Sequence, residues 1–308
     1  MSIAGISALE QREALEQQEE DDRILAALEE QARGGRVRSL LAALRPADYL
    51  AAVVLLLLLA AILIPQALTR YDPLQVEEGQ ALLGPSGTHW FGTDYLGRDL
   101  FSRVVYGTSS SLSASAVAVA VGLIGGLVLG IVSGYLGGWV DSIISRLIDV
   151  LLSVPGLLLS MVIVVSLGFG AINAAIAVGV SSIASFSRIT RSEVLRVRGA
   201  GYVEAAAHQG SSRARTLVRH VLPNSVGPVF SLIPLQFGGS IIWISSLSFL
   251  GFGAVPPQPE WGLLVAEGRQ YLISAPWLLL FPGAVIVATV LAASHLQGAI
   301  QRIRETFA

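Results

Sequence analysis

Six stretches of this chain are each long and apolar enough to cross a lipid bilayer, and that leaves few options for its fold. They cover residues 49–68, 110–135, 147–167, 171–187, 226–250 and 277–295. A hydrocarbon core about 30 Å thick takes about 20 apolar residues as an α-helix. Within it each backbone N–H and C=O must be paired inside the protein, which a helix achieves along its own length. The composition agrees, with 53% hydrophobic and only 14% charged residues and a mean hydropathy of +0.66, far from an ordinary soluble domain. The sequence predicts an all-α integral membrane protein with six transmembrane helices.

The arginines orient the spans, because short cytoplasmic loops retain basic residues. Arg33, Arg36, Arg38 and Arg45 precede the first span, and Arg146 precedes the third. Seven arginines from Arg188 to Arg219 separate the fourth from the fifth, and Arg302 and Arg304 follow the sixth. With six spans all of these fall on one side, so both termini and the loop at 188–223 are expected in the cytoplasm. Segments 69–109 and 251–276 are expected to face outward. Burying the seven loop arginines in lipid would cost on the order of 20 kcal/mol, so that loop stays in water.

Several function classes are excluded. The chain has no lysine, hence no Walker A phosphate loop, and it cannot itself be a P-loop ATPase. It has no cysteine, and its four histidines form no zinc motif. No Gly-x-Ser-x-Gly nucleophile elbow stands between a strand and a helix. The central turns of the spans lack Asp, Glu and Arg, which argues against a built-in proton relay. The reading is a transport subunit and not an enzyme, with its energy source in another polypeptide.

Three patterns place further structure. Small residues recur every fourth position at Ala114, Ala118, Gly122, Gly126, Gly130, Gly134 and Gly138, a stripe that lets helix backbones approach closely. It serves packing within the chain, a subunit interface or a pathway lining. Pro155 marks an irregularity in the third span. In "FGTDYLGRDLFSRVVYG", Thr93 or Asp94 reads as an N-cap of a helix in the outer interface, with Arg98, Asp99 and Arg103 on its polar face. The outer stretch "GFGAVPPQPEWG" is either a rigid Pro-rich surface or a simple connector.

The loop between the fourth and fifth spans has an ordered interior. Residues 202–209 read as a short helix, Gly210 as its C-cap or turn, and residues 212–220 as a second short helix ending before Pro223. Glu204-Ala205-Ala206, Gly210 and Leu222-Pro223 resemble the EAA loop of bacterial ABC importer membrane subunits. "GYLGGWVDSIISRLIDVLLSVPGLLL" and "LSFLGFGAVPPQPEWGLLVAEGRQYL" resemble the C-type permease of the oligopeptide, dipeptide and nickel systems.

The resemblance implies a type I ABC importer permease working with a second homologous permease, two ABC ATPase subunits that bind ATP and Mg, and an extracytoplasmic substrate-binding protein. Its cargo would be a di- or oligopeptide, with nickel or another small solute as the alternative and a self-contained secondary transporter as a more distant one. Glu204 would pair with a basic group in the ATPase cleft, Ala205 and Ala206 would permit close approach, and Gly210 would set the bend. The chain itself would hold no cofactor.

The expected organisation is an acidic extension over 1–48, a permease domain over 49–297 and a tail over 298–308. The extension carries nine of the 22 acidic residues between Glu10 and Glu30 and does not read as a signal peptide. Residues 8–32 suit a solvated helix or tail, or a docking element.

Overall fold

The computed structural model describes residues 45–307. The expected helix at 8–32 and Arg33, Arg36 and Arg38 lie outside them. The described residues fall into two compact units, one spanning Leu50–Gly298 and one formed by the flanking residues on either side. In the latter, Arg302 donates to Asp48 Oδ2 at 2.5 Å. No strand forms among the described residues; only an isolated bridge joins Thr93 and Asp99.

The first apolar stretch forms α1 (Pro46–Leu63) and a single further turn, α2 (Pro65–Leu68). They part at Ile64 because Pro65 has no N–H and its ring crowds the preceding turn. The second is α3 (Leu100–Leu136), ten residues longer at its start than the apolar pattern suggests. The third is not one rod. It comprises α4 (Gly138–Ser153) and α5 (Gly156–Leu167), which meet at 95° across Val154 and Pro155. The fourth is α6 (Ala171–Arg198), which continues eleven residues past its apolar part because nothing from Arg188 to Arg198 breaks a helix.

After α6 come α7 (Gly201–His208) and α8 (Arg213–Thr216), a π-turn at Leu217–Val221, and α9 (Leu222–Phe230). The fifth apolar stretch is shared between α9 and α10 (Ile233–Phe249), and the 213–230 rod bends by 48° into α10. Pro234 causes the break, since it cannot donate to the preceding turn. Segment 251–276 carries α11 (Trp261–Gly268), and the chain closes with α12 (Trp277–Phe307). Among the described residues four helices are long and apolar enough to cross a membrane, and six spans result if each bent pair counts as one.

The small-residue stripe packs α3 against α6. A Cβ on Gly122 would stand 2.9 Å from Ser182 Cβ, one on Gly130 2.5 Å from Thr190 Cβ, and one on Gly134 2.9 Å from Val194 Cγ1. Gly126 faces Phe186, which is fully buried. Gly138 lies outside the stripe, because α3 ends at Leu136 and the chain turns through Gly137 and Gly138, both at positive φ.

Segment 69–109 departs from the sequence reading. Thr93 and Asp94 cap no helix. Asp99 is the N-cap of α3, its Oδ2 accepting from Ser102 N at 2.7 Å, and His89 Nδ1 lies 2.8 Å from its other oxygen. Asp94 instead closes a turn and accepts from Arg98 Nε at 2.7 Å and Arg103 Nη1 at 2.5 Å. Arg98 and Arg103, expected on a solvated face, are 3% and 0% exposed. Glu267 of α11 lies 3.2 Å from Arg103 and completes the cluster. Opposite charges removed from water together can compensate one another, and one removed alone cannot. Segment 251–276 is accordingly more than a connector: Glu260 caps α11 and, with Trp261, is buried against α3 through Ser111 and the Val104 carbonyl.

Candidate functional site

The polar loop becomes a short, exposed helix on a rigid base. Gly199 and Ala200 alone separate α6 from α7, and both remain hydrogen-bonded to the last turn of α6, Gly199 N to Leu195 O and Ala200 N to Val197 O. Val203 is the anchor. It is 4% exposed and packs with Val194, Val197 and Val221, with Ile131, Tyr135 and Leu217 around them. Helical geometry then turns the next residues outward. Glu204 and Ala205 are exposed and Ala206 is half-buried.

Gly210 ends α7 with φ at +85°, while Ser211 N donates to Ala206 O at 3.2 Å. This is the glycine-terminated turn in which the chain reverses and an otherwise unpaired carbonyl is satisfied. An added Cβ at Gly210 would meet nothing within 4 Å, so the requirement there is conformational, not steric. Ser212 caps α8, accepting from Arg215 N.

Pro223 sits differently from the sequence reading. The second helix does not stop before it; the chain is helical without interruption from Arg213 to Phe230. The π-turn at Leu217–Val221 makes this possible, with Leu222 N reaching back to Leu217 O. The wider turn absorbs the missing N–H and the bulk of the proline ring. Pro223 is therefore part of the rod leading into the fifth span, while Glu204, Ala205, Ala206 and Gly210 share one protruding element. Pro155 lies elsewhere again, as N-cap of α5 at the break in the third span.

Sequence reasoning missed the residues that brace this element. Tyr135, in the last turn of α3, donates its hydroxyl to Arg213 O at 2.6 Å. Arg198 donates to Tyr135 O at 3.0 Å and Gly134 O at 3.4 Å, placing a cation on the carbonyl end of α3. Arg191 grips Asp141 with two bonds of 2.6 Å each, tying α6 to α4, and Ser133 adds its hydroxyl to the same carboxylate. The one available signal was opposite charges just beyond the apolar ends of consecutive spans. A cavity of ≈ 380 Å³ opens behind α7, lined by Glu204, Arg198, Arg213 and Thr216 among others. No group of His, Asp and Glu among the described residues could hold a metal ion.

A membrane-helix bundle that carries a braced, exposed helix between two of its spans has the make-up of a transporter membrane subunit. The sequence matches the family described as binding-protein-dependent transport system inner membrane component over residues 126–305, and the chain belongs to that family. It is 42% identical over 239 residues to the dipeptide transport system permease protein DppC of Alkalihalophilus pseudofirmus, covering 78% of each chain. It is also 42% identical over 209 residues to the glutathione transport system permease protein GsiD of Pectobacterium atrosepticum, covering 68% of this chain and 69% of that one. Its fold is similar to a chain of the MetNI methionine ABC transporter in an inward facing conformation, with a TM-score of 0.54 and 16% identity over 66% of this chain and 95% of that one.

Proposed function

We propose that this chain forms half of the translocation pathway of an ATP-driven importer of di- or oligopeptides and receives the motion of an ATPase through α7. One observation carries the reading: Glu204 and Ala205 are exposed on a short helix whose other side is locked through Val203 into the ends of α3, α6 and the helix entering the fifth span. A load applied to such a helix moves those spans with it instead of being lost in a slack loop. The names of the dipeptide and glutathione relatives support peptide cargo.

The partners in this reading are a second homologous permease, two ABC ATPase subunits and an extracytoplasmic binding protein. ATP and Mg are bound by the ATPases and no cofactor by this chain. In this reading both termini and the 188–223 loop lie on the cytoplasmic side of the bacterial inner membrane, which the arginine distribution supports. Glu204 pairs with a basic group of the ATPase, and Ala205 permits close approach.

Glu204→Arg tests the coupling contact in the complete complex reconstituted in vesicles. Insertion and assembly are expected to persist while ATP-driven uptake falls to background; uptake at the wild-type rate would remove Glu204 from the mechanism. Uptake by this chain alone on an ion gradient would overturn the importer assignment altogether. Modification of the Glu204→Cys thiol only from outside the cell would invert the topology.

A further inference from the structure

The break at Val154 and Pro155 does more than bend the third span. It leaves a cavity of ≈ 290 Å³ bordered by the end of α4, the start of α5, α6 and α10. Its wall is chemically distinct from the lipid-facing surface. Ser160 enters from α5, Ser181, Ser182 and Ser185 from one face of α6, and Gln236 and Trp243 from α10, seven residues and so two helical turns apart. None of the residues lining the cavity is ionisable.

Counting hydrogen bonds shows which groups remain to be used. Ser160 Oγ reaches Gly156 O at 2.8 Å, Ser181 Oγ reaches Ala177 O at 3.0 Å, and Ser182 Oγ reaches Val178 O at 2.9 Å. Ser160 and Ser181 also lie 2.8 Å apart, hydroxyl to hydroxyl, so all three groups are already engaged within the bundle. The Ser185 hydroxyl and the Gln236 carboxamide have no hydrogen-bond partner among the described residues. Between them they offer donors and acceptors to the same cavity. Trp243, 41% exposed, supplies a broad apolar surface beside them, its ring against Gly156.

That combination selects a class of ligand. A neutral wall cannot repay the desolvation of a bare ion, and it offers no carboxylate, imidazole or thiolate to a divalent transition metal. A peptide main chain carries alternating N–H and C=O groups that Gln236 and Ser185 can pair without regard to the side chains. The volume, near the lower end of the roughly 300–1,000 Å³ of small-ligand pockets, suits a short stretch of peptide.

We infer that this cavity is a peptide-backbone contact site within the passage: Ser185 and Gln236 hydrogen-bond the main chain of the cargo, and Trp243 packs against its side chains. The inference rests on the peptide-importer reading above, and the experiment separates the two. The complete complex, its partner subunits made thiol-free, is reconstituted in vesicles and supplied with labelled alanyl-alanine.

Gln236→Leu is expected to raise the KM for uptake about fivefold, the worth of one neutral hydrogen bond, while ATP hydrolysis stimulated by the binding protein stays at the wild-type level. Because this chain has no native cysteine, Ser185→Cys introduces its single thiol. A hydrophilic maleimide is expected to label it, and saturating alanyl-alanine to slow that labelling at least twofold. Val76→Cys, at a position 54% exposed in the outward segment 69–109, serves as the control and is expected to be labelled with no slowing by the peptide.

Should Gln236→Leu fail to assemble, protection of the Ser185→Cys thiol decides alone. A wild-type KM for Gln236→Leu with peptide-insensitive labelling at position 185 overturns the inference while leaving the importer reading intact. No ATP-driven uptake of alanyl-alanine or of longer alanine peptides by the wild-type complex overturns both.

Discussion

At Gly130 an added Cβ would come within 2.5 Å of Thr190 Cβ, far inside the ~3.5–4.0 Å of a favourable carbon contact. At Gly210 the same atom would meet nothing, yet φ there is +85°. The two glycines thus fail in different ways when replaced. Gly130→Val is expected to push α3 off α6 and lower stability by about 1–3 kcal/mol or more, measured by thermal unfolding in detergent. Gly210→Ala is expected to cost about 1–2 kcal/mol through backbone strain alone; Gly210→Asn should recover part of it, because asparagine tolerates the left-handed region. The spacing of small residues on α3 was legible in the sequence, but the facing helix was not. Ser182, Phe186, Thr190 and Val194 carry no local mark of being its counterpart.

Among elements, the breaks matter as much as the helices. Apolar content located all six stretches, since lipid solubility is a local property of side chains. Helix ends follow hydrogen bonding instead, and there the pattern misled: α3 begins at Leu100 and α6 runs to Arg198 because helices continue into water wherever no residue stops them. Pro155 and Gly210 could be read as interruptions from their chemistry. The bend of 95° and the π-turn before Pro223 could not, because each depends on what packs against the neighbouring turns.

The two ion pairs bracing this side differ in the same way. Arg188–Asp149 is 63% exposed at both ends, whereas Arg191–Asp141 is bidentate and shielded to 36% and 21%. Arg188→Gln is expected to change stability by less than about 1 kcal/mol, and Arg191→Gln to cost about 1.5–3 kcal/mol as its charged hydrogen bonds are lost. Chemical denaturation of the two variants side by side checks the ranking.

On the scale of the molecule, residues far apart in sequence lock segment 69–109 to segment 251–276. Arg103 is fully buried between Asp94 and Glu267, and Trp261 donates to Val104 O at 3.0 Å. Removing one charge leaves the others stranded, so Arg103→Leu is expected to destabilise the fold by about 3–5 kcal/mol. The measurable outcome is a loss of chain recovered in assembled complex from detergent extracts.

The sequence by itself determined that the chain is a helical membrane protein, and it picked out the loop carrying Glu204. Those properties reside in hydropathy and in short-range spacing. Only the tertiary structure decided that Arg98 and Arg103 turn inward, that Val203 fastens α7 to its spans, and that Ser185, Gln236 and Trp243 meet around one cavity. Each of these depends on groups distant in sequence becoming neighbours, and the free energy of a buried charge or an unpaired amide is set by those neighbours and not by the residue alone.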